Sequence, residues 1–133
     1  MRTINYLFSS QQRFKYFLEK NNIQKDKEHF IQVFTGSNNP KELQSILQII
    51  SENLPHSSII ASSTAGEIIE GGMIENSTVI SLTTFKDTKV NVQLIDKASA
   101  DTMAQKISST MISPKTKLIL AFNNVFKMMV KIY

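Results

Sequence analysis

The stretch HFIQVFTGSNNPKELQSILQIISENLPHSSIIAS, residues 29–62, decides the fold. Phe30, Ile31, Val33 and Phe34 form a β-branched and aromatic run too short for a helix, so 29–35 reads as a buried strand. Gly36-Ser37-Asn38-Asn39-Pro40 is dense in turn formers. Asn39 stands as N-cap, Pro40 at the first helical position and Glu42 three residues after the cap. Leu43, Ile46, Leu47, Ile50 and Leu54 then recur at helical spacing as one apolar stripe that Pro55 ends, which predicts a helix over 40–54 packed by one face. Ser58–Ser62 reads as a second short apolar strand. Strand, helix and strand within 29–62 make a βαβ unit, whose two strands run parallel.

Outside this unit the patterns are weaker. Ser9 and Gln12 have capping-box spacing ahead of Phe14, Phe17 and Leu18, which predicts a helix over about 10–21. Gln24–Glu28 is a charged connector. Downstream, Thr78–Phe85 is strand-like, Lys86-Asp87-Thr88 makes a turn, and Val90, Val92 and Leu94 alternate with Asn91 and Gln93. A β-hairpin over 78–96 with one wet face follows. Ser99 as cap, Ala100, Ala104, Ile107 and Met111 at successive turns, and Pro114 beyond them predict a helix over about 99–112, after which Lys117–Phe122 supplies a last buried strand. The expected order is α-β-α-β-β-β-α-β, an α/β fold with a mixed β-sheet and flanking helices. The domain division expected is 1–28 as an N-terminal helix and connector, 29–122 as the folded domain and 123–133 as a tail.

Composition limits the function classes. With 133 residues, 41% of them hydrophobic and 20% charged, the chain describes one domain able to bury a core without metal or disulfide. Cysteine is absent, which removes disulfide scaffolds, thiolate zinc sites, iron–sulfur clusters and cysteine nucleophiles. The longest apolar run, Leu118–Phe122, has five residues against the roughly 20 that cross a bilayer, so no membrane span is expected. Polar Asn5, Ser9 and Ser10 break any signal-peptide core, and the default address is cytoplasmic. Residues 1–30 carry six basic and three acidic groups, 31–111 five and eight, and 112–133 four and none. The central domain is therefore mildly acidic and lacks the basic stripe that nucleic-acid binding needs.

Ser62-Ser63-Thr64-Ala65-Gly66-Glu67-Ile68 follows directly on a strand and gathers three hydroxyls, a glycine and a carboxylate. Ligands of open parallel sheets settle at the carboxyl ends of strands. The partner strand ends in Phe34-Thr35-Gly36. If the two are neighbours, Gly36 admits a ligand to the backbone, the start of helix 40–54 offers positive charge, and Glu67 offers negative charge. Asn39 and Pro40 weaken the anion side, since one occupies a free N–H and the other has none. The arrangement suits a zwitterion. The plain alternative makes Ser62–Thr64 a strand end bonded to its own backbone, Gly66 a turn or bulge and Glu67 a solvated charge.

Ile31–Gly36, the amphipathic helix, and Ile59–Ile68 around Ser63-Thr64-Ala65-Gly66-Glu67-Ile68 together resemble the N-terminal part of the FIST sensory domain family, whose Ser-Thr-x-Gly-Glu-Ile core is distinctive. The likeness extends through Gly71-Gly72 and Leu82–Phe85 and is expected to run to Phe122. The resemblance implies a small-molecule-binding sensory input domain of a bacterial signal-transduction protein, working with an output domain or protein, with small polar metabolites such as amino acids as ligands. Thr35, Gly36, Ser37, Ser63, Thr64, Gly66 and Glu67 become the ligand-binding candidates, hydroxyls and N–H groups for a carboxylate and Glu67 for an amine. Two departures stand out. Ala61-Ser62 precedes the motif where the family is expected to have Gly followed by Cys or another small residue, and the family's domain continues beyond the strand equivalent to Lys117–Phe122. Residues 123–133 lack clean periodicity and read as a non-native ending of a shortened domain. That reading favours a second class, an interaction fragment that forms a homodimer through an exposed sheet edge.

A third class, a Ser/Thr hydrolase, would pair Ser63 or Thr64 with His56 and Glu67. The glycine-flanked nucleophile elbow is absent, and an extended 58–62 separates His56 from Ser63 by roughly 20 Å at 3.3 Å per residue. His29 sits at the start of its strand, so both histidines read as solvated loop residues. No metal-ligand spacing and no phosphate-binding loop occurs, Gly71-Gly72 reads as a turn, and Met103 and Met111 read as packing residues. The expectation is no enzyme, no metal and no cofactor.

Overall fold

The computed structural model describes residues 1–69 and 71–122; the side chains of Glu67, Ile68 and Met73 also lie outside the description, as does the tail 123–133. The elements are β1 (Arg2–Leu7), α1 (Gln11–Lys20), β2 (Phe30–Thr35), α2 (Pro40–Asn53), β3 (Ser58–Ser63), β4 (Glu67–Ile69), β5 (Gly72–Ile74), β6 (Thr78–Thr84) and α3 (Ala100–Met111). Four strands form a mixed sheet in the order β1-β6-β2-β3, and β4 and β5 form a separate two-stranded ribbon. Strands β2 and β3 are parallel, and β6 is antiparallel to both β1 and β2. The βαβ unit is thus present, and the mixed α/β architecture holds.

Strand parity explains the core. Ile31 and Val33 of β2 pair with Ile59 and Ala61 of β3 and with Leu82 and Ile80 of β6, so all six share one face. Against that face pack Phe14 and Leu18 of α1 and Leu43, Ile46, Leu47 and Ile50 of α2, followed by Leu54. Each such aliphatic side chain contributes on the order of 1.5–3 kcal/mol when withdrawn from water. Local chemistry delimits the helices. Asn39 caps α2, its Oδ1 accepting from the Lys41 N–H at 3.1 Å. Ser99 caps α3 as expected, whereas α1 is capped by Ser10, one residue beyond the Ser9 that the spacing indicates.

Three expectations are corrected. The first residues form β1, which pairs with β6 along its whole length. Segment 90–96 forms no strand, so the 78–96 hairpin does not exist: β6 already has β1 on one edge and β2 on the other, and no edge remains for a third partner. Val90 instead runs near the start of β3, its carbonyl accepting from the Ser58 hydroxyl at 3.5 Å, and Gln93 accepts from Thr110 of α3. Lys117–Phe122 is likewise no strand, and its Leu118 is 73% exposed. The missed ribbon β4-β5 turns at Gly71, whose φ of +81° only glycine adopts freely. Of the expected Gly71-Gly72 turn, Gly71 lies in the turn and Gly72 already opens β5.

Candidate functional site

The carboxyl ends of β2 and β3 meet. Thr35 is the register partner of Ser63, and the Thr64 N–H donates to the Thr35 carbonyl at 2.9 Å. The loops 35–37 and 63–64 therefore lie side by side at one end of the sheet. Gly66 and Glu67 follow within a few residues, where the chain leaves the sheet and enters β4.

Position alone does not give a group a free hand to bind. Thr35 is fully buried, since it has the parity of Ile31 and Val33. Its Oγ1 bonds the Thr78 hydroxyl at 2.8 Å and accepts from the Ser37 N–H at 3.2 Å. Thr35 thus ties β2, β6 and the following loop together. The Gly36 N–H donates to the Ser77 carbonyl at 2.8 Å, so it is engaged as well. Ser37 donates its hydroxyl to a Glu42 carboxylate oxygen at 2.6 Å and accepts from the Asn39 N–H at 3.2 Å, acting as a brace for the entry to α2.

That brace changes the electrostatics of the α2 N-terminus. Pro40 has no N–H, the Lys41 N–H is held by Asn39, and the Glu42 carboxylate sits in the first turn. The positive end of the helix is thus answered in part by its own side chains. On β3, Ser62 donates to the Ser63 carbonyl at 3.2 Å. The half-buried Ser63 hydroxyl has no hydrogen-bond partner among the described residues. Thr64 is hydrogen-bonded and half-buried, and Gly66 is half-buried. The Glu67 backbone pairs with Ile74, and its side chain lies outside the described residues.

The histidines separate. His56 is exposed in the turn before β3, at the far end of that strand from Ser63. His29, expected in solvent, is only 4% exposed: its Nε2–H donates to the Gln24 carbonyl at 2.7 Å, and its Nδ1 bonds the Thr84 hydroxyl at 2.9 Å. Sequence reading missed Thr78, the partner of Thr35. The available signal is a threonine directly before the apolar pair Val79-Ile80, matching the threonine that follows Val33-Phe34 at the end of β2.

Among the described residues no group of three or more His, Cys, Asp or Glu side chains could hold a metal ion. No helix among them is long and apolar enough to cross a membrane. The sequence model of the FIST N domain matches residues 29–128, from the start of β2 onward. The chain belongs to the FIST N domain family. FIST is a sensory domain family rather than an enzyme family, and the match covers the βαβ unit, the 63–67 motif and β6. Residues before the match add β1 and α1 to the same sheet and core. No curated protein and no solved structure matches the chain.

Proposed function

We propose that this FIST N domain is the cytoplasmic input module of a bacterial signal-transduction protein and binds a small polar metabolite, such as an amino acid, where β2 and β3 end. The observation that supports this reading is the Thr35–Ser63 register, which sets two polar loops beside each other at the carboxyl end of a parallel pair. Ser63, Thr64, Gly66 and Glu67 are the contact candidates, with Glu67 for the ammonium group. Thr35, Gly36 and Ser37 shape the rim, their polar groups being engaged within the fold. An output domain or separate protein receives the signal.

The test is a thermal-shift screen of the intact chain against the common amino acids. A ligand at 100 times its Kd adds about 2.7 kcal/mol of stability. Glu67→Ala and Ser63→Ala should each abolish the shift and leave the unliganded melting temperature unchanged. A shift that persists in both variants would remove this end of the sheet from the reading.

A second reading, an interaction fragment, is favoured by β1. It is an outer strand in unbroken register with β6, and its Leu7 is 40% exposed. Among the described residues no strand lies beyond it, and an outer strand of this kind pairs readily with a second copy. Light scattering that finds only monomer at high concentration excludes it.

A further inference from the structure

We propose that a recess at the amino end of β2 is a separate site for a small multivalent anion of the phosphate-ester class. The recess holds about 330 Å³ and is lined in part by Arg2, Ile23, Lys27, His29, Phe85 and Lys86. That volume falls at the lower end of small-molecule sites, roughly 300–1,000 Å³. It lies at the opposite end of β2 from Thr35, about 20 Å away for a six-residue strand.

Charge sorting carries the argument. Lys27 stands between Asp26 and Glu28, and Lys86 precedes Asp87. Both lysines and Arg2 line the recess, whereas none of those three carboxylates does. A merely solvated stretch of alternating sign would present both charges to the same groove. Neither lysine ammonium has a hydrogen-bond partner among the described residues. An anion seated between them would relieve their mutual repulsion.

The frame that holds these cations is fixed. Arg2 donates from one guanidinium nitrogen to the Asn21 carbonyl at 3.0 Å, with a second nitrogen 3.5 Å from Asn21 Oδ1. Its remaining N–H groups stay available as a planar fork. Buried His29 joins the connector that bears Lys27, through the Gln24 carbonyl, to the end of β6 that leads into Lys86, through Thr84. The two lysine-bearing loops are thereby held at a set separation. Ile23 and Phe85 give apolar wall for the organic part of an ester.

Calorimetric titration of the intact chain with pyrophosphate at low salt tests the proposal, with sulfate at matched ionic strength as the comparison. One saturable site is expected, with pyrophosphate tighter than sulfate. Lys27→Gln and Lys86→Gln should each weaken pyrophosphate about tenfold, the scale of one lost charge-assisted hydrogen bond. Lys106→Gln, on α3 and outside the recess, should leave it unchanged, as should Glu67→Ala, which separates this site from the one at the far end of the sheet. Absence of saturable binding at millimolar pyrophosphate overturns the proposal. So does equal weakening by Lys106→Gln, which would mean diffuse attraction to net charge.

Discussion

Replacing Thr35 by valine keeps the shape of the side chain and removes one oxygen. In the wild type that oxygen bonds the Thr78 hydroxyl at 2.8 Å and receives the Ser37 N–H at 3.2 Å. Thr78 is 5% exposed, so its hydroxyl cannot turn to water when its partner is lost. An orphaned buried hydroxyl costs about 1–3 kcal/mol, and a lost neutral hydrogen bond about 1 kcal/mol where water can substitute in part. Ser37 is half-buried, so its N–H falls in the milder class. The sum is about 2–4 kcal/mol, which for a chain of this length lowers Tm by roughly 7–14 °C. The double variant Thr35→Val/Thr78→Val removes both hydroxyls together and should recover all but about 1 kcal/mol, because replacing both partners by apolar groups is nearly neutral. Urea unfolding of the wild type, both single variants and the double variant measures the cycle. A Thr35→Val variant of wild-type stability, or a double variant that costs the sum of the two singles, would refute the assignment of Thr35 to the scaffold.

Three further outcomes follow from the packing. Ile50→Ala empties a position with no exposed surface in the α2 stripe and should cost about 2–5 kcal/mol in urea unfolding. Asn39→Ala removes the acceptor of the Lys41 N–H and should cost about 1 kcal/mol, whereas Asn39→Asp should cost little, both read as shifts in Tm. Amide hydrogen exchange should be fast over 90–94, which has no ladder partner, and slow over 80–82, which is paired on both edges; equal protection of the two segments would restore the hairpin.

The βαβ unit is legible because its signals are local. Cap, proline and apolar stripe all fall within one helix, and each flanking strand carries its own β-branched run. What failed concerns partners rather than propensity. Val90, Val92 and Leu94 alternate as a strand should, but pairing depends on which edges are vacant, and the vacancy on β6 is filled by β1. Strand β1 is faint in the sequence because an outer strand has polar Thr3 and Asn5 on its exposed positions; the half-buried Ile4, Tyr6 and Phe8 carry the period-two signal. The burial of His29 is not legible locally, because one of its two partners, Thr84, lies 55 residues away. The site was half legible: the meeting of 35–37 with 63–64 follows from two adjacent parallel strands. The fate of Thr35 follows instead from parity, which points it into the core with Ile31 and Val33.

That parity bears on what the sheet end can recognise. An anion-binding role for this rim would require the first turn of α2 to present free N–H groups. Instead Pro40 supplies none, Asn39 takes the one on Lys41, and the Glu42 carboxylate, held by Ser37, adds negative charge at the same place. The field there favours a cationic or hydroxylic part of a ligand over its carboxylate. A bound amino acid would then direct its ammonium toward Glu42 or Glu67 and leave its carboxylate to donors on the β3 side, of which the Ser63 hydroxyl is one without a competing partner among the described residues. Polar metabolites bearing an amine but no carboxylate should therefore bind better than carboxylates bearing no amine. A thermal shift with the simple carboxylate alone would reverse that polarity and return the helix end to the anion.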